Sequence, residues 1–406
     1  MTSTATVPAL PLELGRGWTA GALSTSGAPR LLRRSTGSNE AFEPWVVLSD
    51  LAFCTVQGWP ATGGRSDLAY DARRGVVYFA HDDTIRIGDV ATGETRTLTT
   101  APAMAVDPEL EARQLSGIPP ERRAQAARTR FTWTLALSPD ASELFAVAHR
   151  SGAKTRLVRV RVDDGSSRSW EMTDWDGGLT ISFAQSLLCF PGAKAGVRLR
   201  NFAGRLVAEL PWGRVLAPPL RFVPAFRAGA VSPTARSVAL SSNDDARRSL
   251  SIWDVRADRV DLLDTRGRAP AWSVDGRHVF YVRGQNELRR MRPDAKRSEL
   301  LVRLAGNQGS ESSWASTPVP SPDGRYLLAR LARDLMNDAE TVQRLRRVYA
   351  HRRTPPPERW VRFRTEHVSC VLDLHRRVVQ QTRGFSHDVA WASPGGESGA
   401  DAGRGR

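Results

Sequence analysis

The chain has 406 residues, 41% of them apolar and 25% charged, the balance of a folded globular protein and not of a disordered one. The formal charge of +15 rests on 58 basic residues, among which Lys154, Lys194 and Lys296 are the only lysines. A GC-rich coding sequence explains that arginine bias more simply than a polyanionic partner does, because net charge bears on association and not on fold.

The opening stretch, MTSTATVPALPLELGRGW, has no basic leader and no sustained apolar run, so residues 1–42 are expected to form an N-terminal arm of a cytoplasmic protein. Segment 43–58, EPWVVLSDLAFCTVQG, is strand-like but lacks a neighbouring partner. Residues 67–80, DLAYDARRGVVYFA, give a short strand, a turn and an apolar strand. The stretch 101–130 breaks this pattern. Asp107-Pro108 reads as a helix start, and Pro119-Pro120-Glu121 opens a second helix, with proline at the first helical positions and acids nearby.

Strand, turn, strand then returns as WTLALSPDASELFAVA at 133–148 and AGAVSPTARSVAL at 228–240. GLTISFAQSLLCF at 178–190 repeats it without the turn signature. The clearest unit is RAPAWSVDGRHVFYVRGQNELRRMRPDAKRSELLVRL at 268–304. Its first strand ends at Trp272. Ser273 to Gly276 make a turn in which Gly276 can adopt positive φ. Val279 to Val282 are continuously apolar, the mark of a strand buried on both faces. Third and fourth strands follow near Glu287–Met291 and Glu299–Leu304. A further copy, ASTPVPSPDGRYLLA, lies at 315–329, and DVAWASPGG at 388–396 holds only an inner strand and a turn before a polar tail at 397–406 that is expected to be disordered.

The turn serines Ser232, Ser273 and Ser321 are spaced by 41 and 48 residues. Four strands in a period of roughly 40–50 residues describe a propeller blade. Ser321-Pro322-Asp323-Gly324-Arg325-Tyr326 and Ala271-Trp272-Ser273 through Gly276 resemble the TolB-type repeat, and Trp253-Asp254 within LSIWDVRADRV is similar to the WD40-type third strand. The resemblance covers about 65–394 and implies fold, not activity. The expected architecture is therefore all-β, a single β-propeller over 43–396 with seven blades, or six if the 178–212 or terminal copy is misread. Strands from both chain ends would share one blade, which removes an open sheet edge.

Two intervals exceed the period, at 101–130 and 332–362, and are expected to be helical insertions. The second reads as a helix from about Asp338 to Arg352, stopped by Pro355, Pro356 and Pro357, with an apolar stripe at Val342, Leu345, Val348 and Tyr349. Between 344 and 364 stand Arg344, Arg346, Arg347, Arg352, Arg353, Arg359, Arg362 and Arg364, with Glu358 as the single acid and Trp360 and Phe363 interleaved. Arginines among aromatics suit an acidic protein surface, a nucleic acid or another polyanion. The simpler alternative is a helix packed on the rim with its arginines solvated.

No GxSxG elbow, P-loop, HExxH or EF-hand occurs. Cys54, Cys189 and Cys370 have neither the number nor the spacing of a disulfide framework or a zinc site. His81 and His149 occupy matching repeat positions, which explains them better than metal ligation. The pairs Asp82-Asp83, Asp163-Asp164 and Asp244-Asp245 fall at hairpin turns. No cofactor, metal or membrane span is expected. The leading expectation is a non-enzymatic scaffold that binds another protein within a larger assembly. The alternatives are a propeller enzyme of the glycosidase, lactonase or lyase kind and a nucleic-acid-associated module.

Overall fold

The architecture is that of a computed structural model describing residues 11–21, 23, 31–34, 45–49, 52–56, 68–71, 73–89, 92–138, 140–172, 180–191, 196–211, 214, 228–241, 249–284, 286–295, 297–306, 318–321, 323–349, 361–382 and 389–391. Among them are seven sheets, five of four strands and two of five. Blades 2 to 6 begin at Leu68–Asp71, Arg130–Leu137, Thr180–Ser182, Ala228–Val231 and Gly267–Trp272, and blade 7 begins at Val319–Pro320. Each continues as a meander of three further strands. First strands of neighbouring blades touch one another, as at Ala228–Val231 with Gly267–Trp272, so they ring the axis. This is the expected seven-bladed propeller.

The apolar second strands explain the packing. In Val279–Arg283 of blade 6, Val279 and Tyr281 join a buried cluster with Ala239 and Ile252 of blade 5. Phe280 and Val282, on the opposite face, join Leu327, Leu331 and Cys370 of blade 7. Side chains alternate across a strand, so an unbroken apolar run serves two neighbours at once. Each such side chain contributes about 1.5–3 kcal/mol on burial.

The repeated turn is one structure used four times. Ser273 N donates to His278 O at 2.9 Å, and Gly276 N to Ser273 O at 2.9 Å. His278 N donates to Ser273 Oγ at 2.9 Å, while that hydroxyl donates to Asp275 Oδ1. Ser138, Ser232 and Ser321 repeat the two backbone bonds. The fourth turn residue has positive φ in all four: Ala141 58°, Ala235 54°, Gly276 69° and Gly324 71°. Gly276 and Gly324 fit this conformation without strain, and the two alanines hold it at a cost.

Ring closure is more elaborate than expected. Val389–Trp391 pairs with Leu31–Arg34, which pairs with Trp45–Ser49 and then Ala52–Val56, so blade 1 has one strand from the C-terminal part and three from the N-terminal part. The boundary at residue 42 must be corrected. Leu31–Arg34 is a blade strand, and two earlier segments are fifth strands on other blades. Leu12–Leu14 pairs antiparallel with the outer strand of blade 6, and Thr19–Ala20 pairs parallel with that of blade 7. Residues 11–21 thus form a strap across two blades before the chain enters the third. The fit is close: a Cβ at Gly15 would stand 1.7 Å from Leu300 O. Trp18 is buried in the cluster shared by blades 6 and 7. Arg303 ties the strap down by bonding both Glu13 (3.1 Å) and Glu287 (2.6 Å).

In every complete blade the first-to-second and third-to-fourth turns lie at one end of the sheet. The second-to-third connection and the link to the next blade lie at the other. Both insertions belong to this second end, the insertion face. The first holds α1 (Pro108–Leu115) and α2 (Pro120–Ala126). At the expected helix start, Asp107 caps α1 by accepting from Glu109 N at 2.9 Å and Leu110 N at 3.2 Å. Gly152 N donates to Gln114 Oε1 at 2.7 Å, which fixes the helix on a loop of blade 3.

Candidate functional site

The second insertion is where the propeller departs furthest from its own repeat. In blade 6 the second strand, Val279–Arg283, has 5 residues; in blade 7 it is Tyr326–Met336, with 11. It pairs without a break to Phe363–Asp373, from Tyr326↔Asp373 to Met336↔Phe363. Aligned on the shared turn, Arg283 matches Leu331, so five more residues at about 3.3 Å each extend the hairpin by roughly 17 Å relative to blade 6. The start of the expected insertion at 332–362 is therefore corrected, while its end agrees with the returning strand beginning at Phe363. Residues 332–336 continue the strand, and the helix α3 spans Ala339–Tyr349. Leu327, Leu328, Ala329 and Leu331 mark the blade portion, and cross-strand pairing carries the strand on through Ala332 to Met336.

The hairpin is anchored by polar contacts. Arg333 gives Glu366 Oε2 two bonds, at 3.0 and 2.7 Å, and donates to Ala305 O of blade 6 at 2.8 Å. Asn337, buried at the turn into α3, donates its backbone N–H to Arg362 O at 2.8 Å and its side-chain Nδ2 to Val361 O at 2.9 Å. Asp338 starts the helix by accepting from Thr341 N at 2.7 Å and from the Thr341 hydroxyl at 3.1 Å. The Thr341 backbone bond, then its hydroxyl, holds the Asp338 carboxyl below the usual carboxylate range.

Arg344, Arg346 and Arg347 stand exposed on the C-terminal half of α3, where cations complement the helix dipole. Arg362 and Arg364 are exposed on and beside the returning strand, and Arg364 lies 3.5 Å from Glu366. Val342 and Leu345 of the expected apolar stripe are half-buried. Arg352, Arg353, Arg359 and Trp360 lie outside the described residues, as do the side chains of Val348 and Tyr349. Sequence reasoning missed Met336, which is 63% exposed, because nothing in RDLM marks the last residue of an extended strand.

The other candidate groups separate in space. Asp82 and Asp83 form the second-to-third turn of blade 2, on the insertion face, whereas Asp163 and Asp164 form the third-to-fourth turn of blade 3 at the opposite end. Asp244 and Asp245 are outside the described residues. His81 and His149 each end a second strand, and His149 Nδ1 lies 3.3 Å from Thr155 Oγ1. Among the described residues no group of three His, Cys, Asp or Glu side chains could hold a metal ion. Burial pushes the Cys189 and Cys370 thiols up to about 12, which leaves them un-ionised and unreactive. Trp253 and Trp272 are buried, and Trp272 donates to Ala230 O of the neighbouring blade at 2.7 Å. No described helix is long and apolar enough to cross a membrane.

No family model matches the chain, and no curated protein does. Solved structures do match. An oligogalacturonate lyase from Vibrio parahaemolyticus is 11% identical with a TM-score of 0.51, over 81% of this chain and 95% of that one. A chain of the mitotic checkpoint complex is 11% identical with a TM-score of 0.48, over 88% and 90%. The structure described as putative TolB from Agrobacterium tumefaciens is 15% identical with a TM-score of 0.39, over 78% and 89%. At such identities the likeness is one of fold.

Proposed function

We propose that this propeller is a non-enzymatic scaffold that docks another protein on its insertion face through the blade 7 hairpin and the arginines of α3. The observation that carries this reading is the anchored hairpin with its 11-residue strands, which leads into α3 and its exposed Arg344, Arg346 and Arg347. A rigid platform loses little conformational entropy on association, so modest contacts suffice for binding. The turn motifs Ser273–Gly276 and Ser321–Gly324 support placing the repeats with the TolB/WD40-like type. The buried, unpaired Cys189 and Cys370 suit a reducing, cytoplasmic compartment.

Replacing Arg344, Arg346 and Arg347 together by Ser tests the reading. These residues are exposed, so the thermal midpoint should be unchanged. Retention on an acidic protein or heparin column should move to markedly lower salt, since each lost cation reduces the screened attraction. Elution at the wild-type salt concentration would refute the role of α3.

A further inference from the structure

Resting on that reading, we infer that the hairpin recognises an acidic peptide segment carrying one large apolar side chain, with Met336 and Phe363 as the seat for that anchor. Met336 is the most exposed large apolar side chain among the described residues, at 63%. It stands opposite Phe363 in the last pair of the ladder, and directly opposed residues share one face of a sheet. Phe363 is half-buried and completes an apolar step of two side chains. Arg333, by reaching Ala305, turns the other face of the hairpin toward blade 6, so Met336 and Phe363 look away from it.

The charges beside this step select the partner. Arg362 immediately precedes Phe363, and α3 begins three residues beyond Met336. Along α3 the charge changes sign: Asp338 and Glu340 come first, then Arg344, Arg346 and Arg347. A uniform phosphate chain would meet these acids as well as the arginines. A peptide can place its carboxylates opposite the arginines alone and its apolar residue on the step. Met suits such a seat because its unbranched thioether adapts to varied shapes. An apolar centre with arginine at its rim is the usual anatomy of a binding hot spot.

The test uses the full chain and fluorescence anisotropy with three labelled probes. These are an acidic Asp/Glu/Ser peptide of about twelve residues with one central Leu, the same peptide with Ala in its place, and single-stranded DNA of similar length. The Leu peptide should bind about tenfold more tightly than the Ala peptide. Met336→Ser should abolish that ratio with an unchanged thermal midpoint, and Met336→Leu should restore it. R344S/R347S should weaken both peptides together. Equal binding of the two peptides, or DNA binding as tight as that of the Leu peptide and untouched by Met336→Ser, would overturn the inference and leave the hairpin a general polyanion surface. Failure of wild-type protein to bind any of the three would instead overturn the docking role itself.

Discussion

Blades 6 and 7 begin alike and end differently. Both enter through a serine-headed turn closed by the same backbone bonds, and both bury the start of the second strand on two faces. Blade 6 then turns back at Arg283, while blade 7 runs on to Met336 and carries a helix. The difference shows which end of a blade is free to grow. At the serine end neighbouring turns are packed together: a Cβ on Gly324 would lie 3.7 Å from Val274 of the adjacent turn. Both insertions are found at the opposite end. Growth at the serine end would displace a neighbour; growth at the other end has left the ring intact.

What blades 6 and 7 share can be broken first. Trp18 of the strap is 5% exposed in the cluster common to both, so Trp18→Ala should cost about 3–5 kcal/mol, seen as a lower urea midpoint. A loss under about 1 kcal/mol would mean that the strap is an ornament on a ring closed by blade 1 alone.

The two turns differ in depth, and that separates them next. Ser321 is fully buried and its hydroxyl accepts from Tyr326 N at 2.8 Å, whereas Ser273 is half-exposed. Ser321→Ala should therefore cost about 1–3 kcal/mol, and Ser273→Ala about 0.5–1 kcal/mol, because water can replace the lost partner only at the latter. Equal costs would show that depth does not distinguish the turns.

The smallest effect concerns the fourth turn residue, glycine in blades 6 and 7 and alanine in blades 3 and 5. Ala141→Gly and Ala235→Gly should each stabilise by about 0.5–1 kcal/mol, since relief of left-handed strain exceeds the added freedom of the unfolded chain. Gly324→Ala should have the opposite sign. Chemical denaturation of the single variants measures both.

The same contrast explains what was legible in the sequence. Ser273 to Gly276 could be recognised because every bond in that turn joins residues within five of each other. The helix start at Asp107 is equally local. Leu12–Leu14 and Thr19–Ala20 have only three and two residues, and pair with strands almost three hundred residues or more away. No periodicity marks so short a strand. Leu31–Arg34, LLRR, likewise shows no alternation and was absorbed into the expected arm. The basic segment was visible as a composition, and Asp338 marked the start of α3 to within a residue. The exposure of Met336 was not visible, because it follows from where the hairpin leaves its neighbours and not from its own sequence.

The most direct test replaces residues 332–367 with a three-residue turn, so that blade 7 closes as blade 6 does between Arg283 and Glu287. Thermal stability and anisotropy with the Leu-bearing acidic peptide are then measured on the same preparation. A ring that melts near the wild-type temperature and no longer binds the peptide is the result expected of a platform with an appended docking hairpin. Undiminished peptide binding by the shortened ring would contradict it.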